Sequence, residues 1–475
     1  MIGSTARSGP QGSGTTTAPG PAQRPSEPTA PARPTRDDHR LFPSAPAASA
    51  PYDELRELAA RMEHADGPVA AMRPRENLAI PAGYAHLCRL AEHDLTFAAS
   101  PARLDLGTVY GDGPDRQPYL YDQEDPAKFR LGLRVSDRGP EAGPDLPRMG
   151  DIAVIADARN DDDVILGQLH GLLLRFHNAV VDDVRDSGTT TAAEDFAAAR
   201  RLARWHYQWV ILNDLLPRLC GEDVMHDVLH REEFVITTGW SPDPAPLNPL
   251  DPGHPVSSTT EVVRPRLRFH RAGQAPAVPL EFSAAAFGLA PAMTRTAYVL
   301  NEVVDELRDG RPVSTSRLAG HRPLPPQWGI DWRMFFRTSG EPHRPQAAHR
   351  IDERVHTPAL PALLEGAALG LPSGQAVAGA MSIDPLPASR LGLAALPALE
   401  RATPLWYYVL REAGELCQGC CLGPVGGRIV AETLVGLVAD DPDAYLHAEP
   451  GWTPTLPFAG DTFRMADLIA VAQRS

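Results

Sequence analysis

Apolar residues recur at the spacing of an amphipathic helix along most of the chain after residue 50, and this pattern predicts a mainly α protein. Few segments alternate in the manner of a β-strand. Helices are predicted over residues 52–62, 83–97, 157–184, 193–219, 358–369, 374–381, 405–417, 427–438 and 465–472. We therefore expect a single α-helical domain with long irregular connections.

The most regular apolar pattern covers 157–184. Asn160 and Asp161 are residue types that favour the N-cap position, so we expect the helix to begin directly after them. His170 and His177 lie seven residues apart and share one face of this helix. Histidines on such a face are expected to be core residues that hydrogen-bond to the backbone.

Prolines mark the places where the predicted helices are expected to end or break. Residues 240–265 are rich in Pro, Ser and Asp and are expected to form a long irregular connection. Residues 279–307 have a helical pattern that contains Pro291, where the missing N–H and the ring predict a kink or break. Ser373 precedes one of the short predicted helices and is a good N-cap type.

The first 50 residues differ in composition from the rest of the chain. They are dominated by Pro, Ala, Ser and Gly and have almost no aromatic residues. Such a segment does not bury enough apolar area to offset the entropy of ordering it. The expected organisation is a disordered tail over 1–50 and one α domain over 51–475.

Charge and composition exclude several classes of function. The formal net charge of −15 argues against a nucleic-acid or anionic-membrane partner, because phosphate binding needs a basic surface. The sequence has no long uninterrupted apolar run of the kind that spans a membrane, and no apolar segment typical of a secretory signal follows its first residues. These features favour a cytoplasmic protein.

The five cysteines point to a reducing compartment rather than to a disulfide framework. Cys417, Cys420 and Cys421 form a CxxCC motif, but no second CxxC or His pair completes a metal set. The expectation is therefore incidental thiols in a loop. Cys88 and Cys220 lie on apolar helix faces and are expected to be buried.

Three stretches together resemble the animal-type haem peroxidases, in particular their bacterial relatives. They are HDLTF with its preceding helix (83–97), DARNDDDVILGQLHGLLLRFHN with the helix that follows (157–219), and the C-terminal segments TPLWYYVLREA, LGPVGGRIVAE and MADL. The resemblance extends from about residue 52 to the C-terminus and keeps the order of the elements. It implies a mainly α fold around a buried haem and a peroxide-dependent oxidoreductase with a small-molecule substrate.

The resemblance assigns the distal site. The family's distal histidine matches His93 and its distal arginine matches Arg159. A neutral imidazole can take a proton from hydrogen peroxide and return it to the leaving oxygen. An arginine, which stays protonated, can stabilise the charge that develops as the O–O bond breaks.

Further family positions are changed in this chain. The carboxylates that can esterify the haem match Glu92 and Asp162, with the usual Asp and Glu interchanged. The position usually held by Gln is Arg89. The family's calcium ligands match Asp94 and Asp105, which carry the hard oxygen donors that calcium prefers.

The proximal side departs most from the family pattern. The position of the proximal haem ligand is Pro291, which has no ligating side-chain atom. The partner of that ligand falls at Ala362, and the basic residue expected beside a haem propionate falls at Glu365. Met293, His270, His343, His349 and His356 are the alternatives for an axial ligand.

These changes predict impaired or altered haem binding, because the axial ligand and its hydrogen-bond partner govern how iron is held. Three hypotheses follow. The first is a peroxide-dependent oxidoreductase with impaired haem binding. The second is a haem-free pseudoenzyme, or an enzyme that uses the former haem cavity for another small molecule. The third is a scaffold protein that recruits partners through its proline-rich tail.

Overall fold

The structure is a computed structural model. It describes residues 40–48, 50–63, 75–97, 102–133, 143–186, 188, 191–240, 255–270, 278–301, 312–337, 344–355, 358–458 and 462–474. Most of the expected tail lies outside these residues. Leu41 and Phe42 are nevertheless buried, and their backbone N–H groups donate to the Glu281 carboxylate. Packed structure is thus present before residue 51.

Helices dominate the described residues, which confirms the mainly α prediction. They are α1 (Tyr52–Glu63), α2 (Gly83–Leu95), α3 (Gly107–Tyr110), α4 (Val164–Asp186), α5 (Ala192–Val210), α6 (Leu216–Cys220), α7 (Glu222–Val228), α8 (Ala290–Met293), α9 (Ala359–Ala368), α10 (Gly374–Ala380), α11 (Ala388–Leu391), α12 (Pro397–Arg401), α13 (Leu405–Cys417), α14 (Pro424–Asp440), α15 (Tyr445–Ala448) and α16 (Met465–Ala472). The bounds of α13 and α16 are those that the sequence predicts.

The strands form small antiparallel pairs. They are β1 (Glu76–Pro81), β2 (Arg148–Met149), β3 (Ile152–Ala153), β4 (Leu229–Trp240), β5 (Pro255–Pro265), β6 (Ala297–Tyr298), β7 (Val313–Ser314) and β8 (Ala347–His349). β1 pairs with β8, and β2, β4 and β6 each pair with the strand that follows in the chain.

Helix α4 lies at the centre of the packed domain. It packs against α2, α5 and α16, and nearly all of its residues are buried. By length and composition it is also the one helix among the described residues that is able to cross a membrane, but its apolar stretch is wholly buried, as in the core helix of a globular domain. Its position brings the residues before its first turn against α2.

The start of α4 differs from the prediction. The helix begins at Val164 rather than directly after Asn160 and Asp161, because residues 158–161 form a separate 3₁₀ turn. The Asp157 carboxylate caps that turn by accepting from the Arg159 N–H. The Asp163 side chain accepts from the Leu166 N–H at 2.9 Å and so caps α4.

A segment from later in the chain closes this turn. The Val164 N–H donates to the Leu318 carbonyl at 2.8 Å, the Gly320 N–H to Asp162, and the His321 N–H to Asp161. A Cβ on Gly320 would lie 1.6 Å from the Asp161 carbonyl oxygen, so this close approach requires glycine. We call residues 318–321 the clip.

One further prediction is wrong: the connection expected to be irregular over 240–265 contains β5, which pairs with β4 in a long hairpin. The helical pattern over 279–307 is interrupted, as its proline predicts, but the structure divides it further, into a π turn at 282–286, the short helix α8 and strand β6. Pro291 is the second residue of α8, where its missing N–H costs no helical hydrogen bond.

Other expectations hold. The Ser373 hydroxyl accepts from the Ala376 N–H and caps α10. The long helix predicted over 193–219 continues from α5 through a π turn at 211–215 into α6. Pro217 lies in the first turn of α6, a position that tolerates proline.

Candidate active site

The packing of α2 against α4 brings His93 and Arg159 together. His93 lies near the C-terminal end of α2, and Arg159 lies in the turn before α4. The Arg159 guanidinium donates to the His93 carbonyl at 2.8 Å and to the Thr96 hydroxyl at 2.9 Å. It also pairs with the Asp157 carboxylate at 2.6 Å. The positive charge of Arg159 is therefore fixed at the end of α2, and 40% of the Arg159 side chain is exposed.

Asn160 connects two histidines, a role that the sequence analysis does not predict. Its Oδ1 lies 2.8 Å from Nδ1 of His93, and its Nδ2 lies 3.0 Å from Nδ1 of His170. All three residues are buried. Asn160 was expected to be a helix cap, and His170 was expected to bond to the backbone. Instead they form one side-chain network, the His93–Asn160–His170 network.

The network fixes the tautomers of its histidines. An amide oxygen only accepts and an amide N–H₂ only donates, so His93 carries its proton on Nδ1 and His170 does not. Nε2 of His93 is then a lone-pair acceptor, which is the form that a general base needs. Nε2 of His170 carries a proton and has no hydrogen-bond partner among the described residues.

Burial shifts the pKa values of two titratable groups at the end of α2, His93 and Glu92. It lowers the pKa of His93, and the neighbouring Arg159 guanidinium lowers this pKa further, whereas the bond to Asn160 opposes the shift. The imidazole is therefore neutral near pH 7. Burial also raises the pKa of the adjacent Glu92 carboxyl, against the opposing charges of Arg89 and Arg159.

His177, in contrast, is a structural residue, as the sequence predicts. Its Nε2 lies 2.8 Å from the Ala127 carbonyl oxygen, and its Nδ1 lies 3.0 Å from the Tyr110 hydroxyl. Burial lowers the pKa of His177 to about 4, so it remains neutral inside the core.

The expected haem-ester carboxylate Asp162 is engaged elsewhere. The Arg89 guanidinium pairs with Asp162 at 2.9 Å and with Asp163 at 2.6 Å. His321 of the clip also lies 3.3 Å from Asp162. Arg89 therefore ties α2 to the start of α4, and it does not reproduce the neutral amide of the family position.

The two calcium candidates meet but are used as backbone acceptors. The Asp94 carboxylate accepts from the N–H groups of Leu106 and Thr108, and the Asp105 carboxylate accepts from Gly107. Burial and the neighbouring Asp105 raise the pKa of Asp94. The described residues include no group of three His, Cys, Asp or Glu side chains with the geometry of a metal site. The structure thus gives the predicted calcium no support.

The proximal positions offer a haem no ligand. Pro291 lies in α8, Ala362 lies half-buried in α9, and Glu365 is exposed. Ala362 helps to line a small apolar cavity with Leu363 and Trp406. No side chain at these three positions has a nitrogen or sulfur donor for iron, so this side does not fit the group.

The alternative ligands are engaged or outside the described residues. Nε2 of His270 lies 2.8 Å from the Asp440 carboxylate, and its ring packs against Gly436. Met293 and His349 are buried. His343 and His356 lie outside the described residues, so their part in ligation stays a prediction.

Comparisons with known proteins agree with this architecture. Residues 86–308 match the animal haem peroxidase family model. Among solved structures, the fatty acid alpha-dioxygenase of Arabidopsis thaliana is 12% identical, with a TM-score of 0.57 over 90% of this chain and 76% of that chain. The fatty acid alpha-dioxygenase of Oryza sativa is 11% identical, with a TM-score of 0.54 over 86% and 77%.

Peroxidase A from Dictyostelium discoideum is 15% identical, with a TM-score of 0.48 over 78% of this chain and 69% of that chain. Comparison with curated protein sequences gives no match. At such low identities, the likeness to the two dioxygenases shows a shared fold. The family match over residues 86–308 and this shared fold together support the resemblance of the chain to the animal haem peroxidases.

Proposed function

We propose that this protein is a haem-impaired member of its family that keeps the distal proton-transfer site and binds hydrogen peroxide, or another small polar molecule, there. The observation that carries the proposal is the 2.8 Å bond between His93 Nδ1 and Asn160. This bond leaves Nε2 of the neutral His93 ring as a hydrogen-bond acceptor, and the Arg159 guanidinium is held at the same end of α2. The position matched to the axial ligand carries Pro291, and the position matched to the partner of that ligand carries Ala362.

The retained residues have defined roles in such a site. Nε2 of His93 accepts a proton from the bound molecule and holds it, because Nδ1 is already committed to Asn160. Arg159 supplies positive charge and is kept in place by Asp157 and Thr96. Glu92, whose pKa is raised by burial, adds a carboxyl that can carry a proton. Cleavage of a peroxide by electron transfer needs a redox group that these residues do not provide.

The second candidate is a peroxide-dependent oxidoreductase with altered haem ligation. The retained pair of His93 and Arg159 favours it, and His343 and His356 remain its candidate axial ligands. A small-molecule substrate and a cytoplasmic location belong to both proposals. So does the tail over 1–50, which stays a prediction together with its role in recruiting partners.

A visible spectrum separates the two proposals. The full chain is expressed with a haem precursor, purified, and titrated with haemin while the Soret band is recorded. We expect far less than one haem per chain and negligible peroxide-dependent oxidation of a chromogenic donor. A stoichiometric Soret band, with turnover abolished in His93→Ala but kept in the matched variant His321→Ala, would establish the oxidoreductase instead.

Binding at the distal site is tested without haem. In the ¹⁵N spectrum of the histidine rings, His93 is expected to be protonated at Nδ1, and hydrogen peroxide is expected to shift its resonances selectively. His177 serves as the internal control, because both of its ring nitrogens are already bonded in the core. Resonances of His93 that do not respond to peroxide would remove the binding part of the proposal.

A further inference from the structure

A second candidate site lies away from the distal network, at a cavity of about 730 Å³ between α6, α7, the turn that joins α13 to α14, and the segment before α16. A cavity of this size accommodates a small organic molecule. His93 and Arg159 do not contribute to its lining. A ligand bound here is therefore separate from one bound at the distal site.

One wall of the cavity is fixed by hydrogen bonds between distant segments. The Asn77 side chain donates to the carbonyl oxygens of Gly419 and Cys420 at 3.1 and 3.0 Å. The Leu422 N–H donates to the Leu219 carbonyl at 2.8 Å. These bonds anchor the turn between α13 and α14 to β1 and to α6, so this wall is part of the packed structure.

The segment before α16 is anchored in a similar way. The Met465 N–H donates to the Asp214 carboxylate at 2.9 Å, and the Arg464 N–H donates to the Asp467 carboxylate at 2.8 Å. The backbone of Arg464 is therefore held at the cavity, whereas its side chain is exposed.

Two of the charged side chains that line the cavity, Asp214 and Arg218, neutralise each other. Oδ1 of Asp214 lies 2.9 Å from Nη2 of Arg218, and Oδ2 accepts from the Tyr84 hydroxyl at 2.6 Å. The Arg218 guanidinium also lies over the Tyr84 ring, 5.0 Å from its centroid. Both charges are thus used within the protein, and together they add no net charge to the cavity.

The other two charged side chains of the lining are Glu222 and Arg464, and both are exposed. Among the described residues, Glu222 has no Arg or Lys partner, and the Arg464 guanidinium has no Asp or Glu partner. A ligand with only a carboxylate would bring a like charge to Glu222, and one with only an ammonium group would bring a like charge to Arg464. A zwitterion with one group of each kind complements both.

The rest of the lining offers apolar contact. Leu212, Met225 and Leu229 line the cavity and belong to the apolar core. Ligand pockets generally combine such apolar surface with a small number of polar groups that orient the ligand. The lining therefore suits a zwitterion that carries an apolar side chain.

We propose that this cavity binds a free α-amino acid with an apolar side chain. The carboxylate of the ligand pairs with Arg464, and its ammonium group pairs with Glu222. Its side chain contacts Leu212, Met225 and Leu229. The site is independent of the proposed function of the distal site, since it needs neither haem nor His93.

The test is a calorimetric titration of the full chain with three probes that share a phenyl ring. L-phenylalanine carries both charges, 3-phenylpropanoate carries only the carboxylate, and 2-phenylethylamine carries only the ammonium group. We expect L-phenylalanine to bind about fivefold more tightly than either analogue, which is the scale of one exposed ion pair. Equal affinities for the three probes, or no binding of L-phenylalanine, would overturn the proposal.

Two substitutions test the two charges separately. Arg464→Gln is expected to weaken the binding of L-phenylalanine about fivefold without weakening that of 2-phenylethylamine. Glu222→Gln is expected to weaken L-phenylalanine by a similar factor without weakening 3-phenylpropanoate. Arg116→Gln, which removes an exposed arginine outside the cavity lining, is the matched control. Melting temperatures confirm that each variant is folded.

Thiol labelling locates the bound probe. Cys420 and Cys421 line the cavity, whereas Cys417 is also partly exposed but does not contribute to the lining. Cys88 and Cys220 are buried, as the sequence predicts. Saturating L-phenylalanine is expected to slow the modification of Cys420 and Cys421 by N-ethylmaleimide and to leave that of Cys417 unchanged.

Three outcomes would contradict the assignment of this ligand to this cavity. Binding that leaves Cys420 and Cys421 unprotected would place L-phenylalanine elsewhere. Binding that is lost in folded His93→Ala would place it at the distal site. An affinity that is unchanged in both Arg464→Gln and Glu222→Gln would show that these charges do not recognise it.

Discussion

The residues matched to the distal side of the family's site and those matched to its proximal side differ in how many polar contacts hold them in place. On the distal side, His93 and Arg159 are held by defined partners, and Asn160 fixes a tautomer. On the proximal side, the matched positions carry Pro291, Ala362 and Glu365, which offer iron no nitrogen or sulfur donor. Helix α13 packs beside this half against the π turn at 282–286, and it buries a single carboxyl, Glu412, at the start of α14.

This contrast indicates that the two halves are under different constraints. A polar network survives inside a core only when each buried group finds a partner, because an unpaired polar group is costly. In the His93–Asn160–His170 network, nearly every buried polar atom has a hydrogen-bond partner. The positions matched to the proximal side lie in short helices that pack without such a polar network, so the fold does not depend on a histidine at position 291.

The largest expected effect comes from restoring the proximal half. Pro291→His together with Ala362→Asn supplies an imidazole and a partner for it. We expect haem affinity to rise by about tenfold or more, the usual scale for a ligand and its supporting residue. Haemin titration followed at the Soret band measures the change, with Ala362→Asn alone as the control. No gain in affinity would show that the deficiency is not confined to these two positions.

Removal of the Asn160 side chain, which bridges His93 and His170, is expected to have the next largest effect. Asn160→Ala leaves the Nδ1 atoms of His93 and His170 buried without partners. We expect a loss of about 2–4 kcal/mol in the free energy of unfolding, measured with urea. Thr96→Ala, which removes an exposed partner of Arg159, should cost far less. A similar small cost for both variants would mean that the network contributes little to stability.

His170 is expected to make the distal half sensitive to acid. Burial lowers the pKa of His170 to about 4, below its ordinary value of 6.5. Between these pH values the unfolded chain binds the additional proton, so the stability that His170 contributes is lost as the pH falls. The difference in unfolding free energy between wild type and His170→Gln should shrink by up to about 3 kcal/mol from pH 7 to pH 4. A difference that is constant with pH would contradict this.

Glu412 is expected to give the proximal half the opposite pH dependence. Burial raises the pKa of Glu412 to about 7, although the N–H groups of Val425 and Gly426 donate to it. The unfolded chain ionises first, so the contribution of Glu412 is present below pH 4.5 and lost as the pH rises to 7. Glu412→Gln should therefore gain up to about 3 kcal/mol relative to wild type between pH 4.5 and pH 8. Thermal unfolding at the two pH values measures it, and an unchanged difference would contradict it.

Local patterns in the sequence were sufficient for the long helices. Residues 405–417 and 465–472 have a clear apolar period, and no proline interrupts either segment, so their bounds follow from local preference. The hairpin of β4 and β5 was missed because Pro, Ser and Asp in 240–265 indicate a loop locally. Its pairing depends on a strand that precedes it in the chain.

The site shows the same division between local and tertiary information. His93 and Arg159 were predicted from family resemblance, because the segments that carry them resemble family segments and occur in the same order along the chain. Asn160 could not, since beside two acidic residues it has the composition of a helix cap. Its role depends on α2 and α4 meeting in space, which no local pattern encodes. The one available signal was a buried-type amide directly after the distal arginine.

The clip also determines when the distal half can form. The turn that carries Arg159 and Asn160 is closed by the clip: the Leu318 carbonyl accepts from Val164, and the N–H groups of Gly320 and His321 donate, although these residues occur much later in the chain. Contacts between such distant segments form slowly, because a long loop must close before they are made. Helices α2 and α4 can form during synthesis, but the His93–Asn160–His170 network forms only after the clip has been synthesised. A chain that ends before residue 318 would contain His93, Asn160 and Arg159, but it would lack the clip that closes the turn between them.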